Sequence, residues 1–174
     1  MTKGLLTALF YVFCLTFICY PALSLDSSLK LLYSLANSNG WYTILINTLF
    51  SLFDTIGRKM GGLKSLDLNI RTINIASGLR TVFIGTFFLI CFEVGPSWLF
   101  NSDWFKILNM CLFAWSNGYV STLCAVKAPD TVEDEKRGQV GGFIGAVISC
   151  GILTGSLITF ALTPIINLTP GPDA

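Results

Sequence analysis

Histidine is absent from this 174-residue chain, and Asp, Glu, Lys and Arg together supply only 12% of it. Without histidine, and without paired carboxylates set in an apolar pocket pattern, acid–base and nucleophilic catalysis have little to work with, so no enzymatic activity is expected. The scarcity of charge is equally informative, because a soluble domain carries about 25% charged residues. With 53% hydrophobic residues and a mean hydropathy of +0.69, the composition is that of an integral membrane protein. A net charge of +1 and the lack of a basic tail give no footprint for a nucleic acid polymer. Cys-x-x-Cys spacings are missing too. Cys14, Cys19, Cys91, Cys111, Cys124 and Cys150 all lie in apolar runs and read as small buried hydrophobes, not as zinc ligands or disulfides. The nearest approach to a phosphate loop, GRKMGGLKS at Gly57 to Ser65, has Leu63 between Gly62 and Lys64 and no strand before it. No cofactor and no metal are expected.

What the chain does have is a series of apolar runs, at about 4–23, 41–61, 73–94, 104–126 and 139–166. Each approaches or exceeds the roughly 20 residues that a helix needs to cross a bilayer. The pattern predicts an all-α integral membrane protein with five transmembrane helices in a single membrane domain. A cleavable signal is the alternative for the first run, since Lys3 precedes it. The stretch from Leu5 to Tyr20 is long for a signal core, however, and no clean small-x-small site closes it. Leu25 to Gly40 reads as an extramembrane loop ended by the turn signal Asn39-Gly40, and Gly95-Pro96 ends the third run. Trp98 and Trp104 fall where an aromatic belt belongs. The segment KAPDTVEDEKRG predicts a solvated loop before the last helix.

The second run, WYTILINTLFSLFDTIGRKMGG, carries ionisable groups inside its apolar sequence. Asp54 and Arg58 are four apart and share a helix face, which Ser51 and Asn47 extend at spacings of three and four. A charged group in mid-bilayer costs roughly 2.5–3.5 kcal/mol on insertion scales, so this stripe is expected to face a bundle interior or a watery cavity. One reading is an intrahelical ion pair near the membrane edge, with Arg58 snorkelling beside Lys59. The other is a polar ligand site in a transport pathway, where Asp54 accepts hydrogen bonds and Arg58 donates them. Spacing alone does not separate the two.

The third run holds Arg80, either a snorkelling or capping arginine or a second cation facing the interior. In the fourth, FAWSNGYVSTLCA, Ser116 and Gly118 predict helix–helix packing, and Asn117 is a candidate cavity-lining group. The fifth is glycine-spaced, with Gly141 and Gly145, then Gly151 and Gly155, each four apart, as in close helix contacts. Lysine and arginine distribution orients the chain. A cytosolic N-terminus puts Lys3, Arg58, Lys59, Lys64, Arg71, Lys127, Lys136 and Arg137 inside, and only Lys30 and Lys106 outside. The sequon Asn167-Leu168-Thr169 then falls on the non-cytosolic face.

FSLFDTIGR at Phe50 to Arg58, RTVFIGTFF at Arg80 to Phe88, FAWSNGYVSTLC at Phe113 to Cys124, Ala128-Pro129, and an acidic loop leading into a glycine-rich last helix occur in that order. In order and spacing, the set resembles the equilibrative nucleoside transporter family over nearly the whole chain. The resemblance is to that family's last five helices. It implies the C-terminal bundle of a major-facilitator-like fold that passes nucleosides or nucleobases down their gradient by alternating access. Asp54 and Arg58 match the family's substrate-contacting aspartate and arginine, with Ser51 and Asn47 on the same face. Ser51 stands where members commonly carry asparagine, and Gly85 where they often carry proline. Arg80 matches an arginine expected to be structural or gating, a role extended here to Asn117.

The implied partners are the nucleoside or nucleobase substrate and the lipid bilayer, with the plasma membrane the expected location. The family's six preceding helices have no counterpart in this sequence. That predicts a fragment or half-carrier completed by an N-terminal half, a full-length relative or self-association. A non-transporting membrane protein that associates with a full-length relative is the alternative, and a coupled carrier titrating Asp54 is a third possibility.

Overall fold

The computed structural model describes residues 2–20, 41–63, 68–91 and 102–167. All regular structure among them is helical: α1 (Thr2–Ile18), α2 (Trp41–Gly61), α3 (Ile70–Leu79), α4 (Thr81–Cys91), α5 (Asp103–Asp130) and α6 (Asp134–Asn167). Two stretches are both long and apolar enough to cross a membrane, Ile70–Ile90 and Asp134–Leu162, and α1 is a shorter apolar helix. The expectations for Asn39-Gly40, Gly95-Pro96, Trp98 and the Leu168-Thr169 part of the sequon lie outside the described residues.

The helix limits differ from expectation at three places, each for a local reason. The third run begins at Ile70, where Asn69 is the N-cap and its side chain accepts from the Ile70 amide. That run is interrupted at Arg80, which keeps near-helical dihedrals (φ −60°, ψ −17°) while the register tightens around it. The solvated loop expected over Lys127 to Gly138 shrinks to residues 131–133. α5 runs through Pro129 to Asp130, and Thr131 closes it by donating its hydroxyl to the Ala128 carbonyl. α6 starts at once on Asp134 and Glu135, acidic residues suited to the positive end of a helix.

α1 packs against α5, α6 and α3, which is why it is apolar around most of its circumference. Two apolar clusters result. One joins Leu5, Leu9 and Val12 to Ile73, Val120, Leu123 and Val140, and the other joins Leu15 and Cys19 to Ile46, Phe87, Met110 and Phe113. In the second cluster Phe113 meets Phe83 and Phe87 edge-on, with ring centroids 5.3 and 5.2 Å away. Beside these clusters lie three buried polar residues, Thr16 on α1, Arg80 at the α3–α4 junction and Asn117 on α5. The polar layer is therefore buried among apolar side chains.

α2 lies along α5 at backbone contact. A Cβ built on Gly57 would sit 2.1 Å from the Trp115 carbonyl oxygen, and one on Gly118 would sit 2.0 Å from the Asp54 carbonyl oxygen. Only glycine fits at either position. Of the glycines expected to pack α6, Gly151 and Gly155 press on the α1 backbone at Phe10 and Cys14, whereas Gly141 and Gly145 face open space.

Candidate functional site

The α2–α5 crossing brings Asp54 to the edge of the polar layer. Its side chain is 13% exposed and is fixed on both oxygens. Arg58 Nε donates to Oδ2 at 2.7 Å from one turn along the same helix, and Asn117 Nδ2 donates to Oδ1 at 2.7 Å from α5. The salt bridge expected from the spacing is thus present, but it is not closed on itself. Arg58 is 48% exposed and Asp54 faces inward, so the pair spans the boundary between the bundle interior and an open face of α2.

Behind Asp54 the network continues. Asn117 is buried, and its Oδ1 lies 2.7 Å from Thr16 Oγ1 and 3.5 Å from Arg80 Nη2. Arg80 is 2% exposed and points into the bundle, not towards an interface. Its Nη1 donates to Ser116 Oγ at 2.6 Å and to the Phe113 carbonyl at 3.1 Å, and its Nη2 donates to Thr16 Oγ1 at 3.0 Å. The guanidinium also lies over the Phe113 ring, 4.9 Å from its centroid. Arg80 Nε has no acceptor among the described residues. A buried cation is costly unless such donors are satisfied, and here four of its contacts come from neutral groups on α1 and α5.

Asn47 and Ser51 do not join this network. Both are exposed, and with Thr48, Thr55 and Arg58 they form a continuous polar stripe along α2. Ile46, Phe50 and Gly57, on the opposite side of the helix, face the bundle. Sequence reasoning missed Thr16, a lone hydroxyl within LFYVFCLTFIC whose only signal was that isolation, and Ser116, which supports Arg80 as well as packing.

The profile of the family described as "Nucleoside transporter" matches residues 2–163. The chain belongs to the nucleoside transporter family. Equilibrative nucleoside transporter 1 of Mus musculus is 24% identical over 169 residues, covering 90% of this chain and 35% of that protein. Nucleoside transporter FUN26 of Saccharomyces cerevisiae is 27% identical over 176 residues, covering 95% and 33%. Equilibrative nucleotide transporter 2 of Arabidopsis thaliana is 24% identical over 153 residues, covering 88% and 34%. The chain spans about a third of the length of the curated relatives it matches. Membership makes it a membrane protein related to transporters, not to enzymes. The buried Asp54–Asn117–Arg80 layer accordingly belongs to a chain of that family, set within apolar helices.

Proposed function

We propose that this chain forms the C-terminal bundle of a major-facilitator-like carrier, with α3 and α4 together serving as one of five membrane-crossing segments. The carrier passes nucleosides or nucleobases down their gradient across the plasma membrane by alternating access. One observation supports this most directly: Asp54 and Arg58 are held at the rim of a buried polar layer, beside an exposed polar stripe on α2. A carboxylate accepts from paired hydroxyls, and a guanidinium donates to a base carbonyl or ring nitrogen. Asp54 and Arg58 contact substrate in this reading, and Ser51 and Asn47 line the approach. Arg80 and Asn117 have the structural role. The same stripe needs water or a covering partner, such as an N-terminal half, a full-length relative or a second copy, because polar groups are disfavoured against lipid.

The test is uptake of radiolabelled adenosine or uridine by cells that lack nucleoside carriers. The full chain is compared with Asp54→Ala and Arg58→Ala. A charge-assisted hydrogen bond contributes about 1.5–3 kcal/mol, so each variant is expected to lower uptake about tenfold or more. No saturable uptake from a correctly inserted chain would overturn transport by this chain alone.

A further inference from the structure

We infer that Asn117, oriented by Thr16 and Arg80, is the residue that positions the Asp54 carboxylate. The argument begins with the direction of the Asn117 amide. Its nitrogen faces a carboxylate oxygen at 2.7 Å, and its oxygen faces the Thr16 hydroxyl at 2.7 Å and the Arg80 guanidinium at 3.5 Å. Turning the amide over would set its NH2 against a cation and its oxygen against an anion, so the pair of charges permits one orientation only. The amide therefore transmits the placement of Arg80 to Asp54 without the two charged groups touching.

Each element of this chain is itself fixed. Arg80 is anchored at Ser116 Oγ and the Phe113 carbonyl, both on the same helix as Asn117. Thr16 comes from α1, where its hydroxyl also lies 2.7 Å from the Val12 carbonyl. All three side chains are almost fully buried, with relative exposures of 2%. Asp54 Oδ1 is thus held from the interior and Oδ2 by Arg58 from the open side. Four lone-pair positions on the carboxylate receive two donors from the described residues. The remaining two define how a ligand with adjacent donors is received.

This inference rests on Asp54 being a ligand group, but its test is read without substrate and so fails separately from transport. The full chain is reconstituted in lipid nanodiscs, and the carboxyl carbon resonance of Asp54 is assigned by its loss in Asp54→Asn. The nitrogen–proton correlation of Arg58 Nε is followed in parallel. Asn117→Leu, Thr16→Val and Arg80→Met are expected to displace the Asp54 signal, and Thr16→Ser, which keeps the hydroxyl, to leave it in place. Adding Thr16→Val to Asn117→Leu is expected to produce no further displacement. An unmoved Asp54 resonance in Asn117→Leu would overturn the inference, and so would additive shifts in the double variant. Should Arg80→Met fail to fold, the Thr16 pair decides the matter alone, because Thr16→Val exchanges only the hydroxyl for a methyl and Thr16→Ser keeps the hydroxyl.

Discussion

At the scale of single residues, the protein places a full positive charge at Arg80 among apolar clusters and gives its two terminal nitrogens neutral acceptors. The geometry depends on the fork of the guanidinium. A lysine ammonium at this position is a point charge on a flexible stem and cannot reach Ser116, the Phe113 carbonyl and Thr16 together. Arg80→Lys is expected to destabilise the chain by about 1–3 kcal/mol through acceptors left unpaired, read as a lowered unfolding midpoint in detergent. An unchanged midpoint would show that water replaces the lost donors. The Asp54–Arg58 contact was legible from sequence because a spacing of four is a local property of any helix. The link to Asn117 was not, since it joins positions 63 residues apart, and Thr16 lies 101 residues from Asn117. Local periodicity contains no information about which helix will face which.

Among the elements, the α2–α5 pair has the closest approach, and it rests on Gly57 and Gly118. A methyl at Gly118 would meet the Asp54 carbonyl oxygen at 2.0 Å, a backbone atom that has no rotamer in which to retreat. Gly118→Ala is therefore expected to cost at least about 1–3 kcal/mol and to lower the unfolding midpoint of the purified chain. Gly141→Ala meets nothing within 4 Å and should leave that midpoint unchanged or slightly raised, because alanine favours the helix. Comparable losses in both variants would contradict the packing. Sequence spacing marked the glycines of α6 as contact surfaces, yet only the Gly151 and Gly155 half packs against α1. Small-xxx-small spacing specifies a groove, and it does not specify whether a helix lies in it. The charged segment before α6 was expected to be a solvated loop because charges dominate its composition. Most of it is helix, with Pro129 inside the last turn of α5 at the loss of one helical hydrogen bond, and the acids in the first turn of α6, where they are favoured.

For the whole molecule, α2 presents two kinds of exposed surface side by side. Asn47, Thr48, Ser51, Thr55 and Arg58 make a polar stripe, and Leu52 and Ile56 flank it with apolar side chains. In a membrane these surfaces face different surroundings, water or a covering partner for the first and acyl chains for the second. In a background with the exposed Cys150 replaced, Ser51→Cys and Thr55→Cys are expected to react with water-soluble thiol reagents several-fold faster than Leu52→Cys and Ile56→Cys. Equal rates at the four positions would place the stripe in the same environment as its neighbours and overturn the proposal that it lines a pathway. The all-helical architecture and the apolar segments were readable from composition and run length. The inward depth of Asp54 was not, because it is set by how closely two glycines let α5 approach.

The same glycine crossing has a mechanical consequence. At the crossing itself no side chain stands between the two backbones to serve as a slip plane, and a one-turn slide of about 5.4 Å would drive carbonyls into one another. α2 and α5 must then travel as a single beam, carrying Asp54 and Asn117 at constant separation. In any rigid-body motion of this bundle the Asp54–Asn117 pair rides intact on one part, with the carboxylate held at the same angle to α5 throughout.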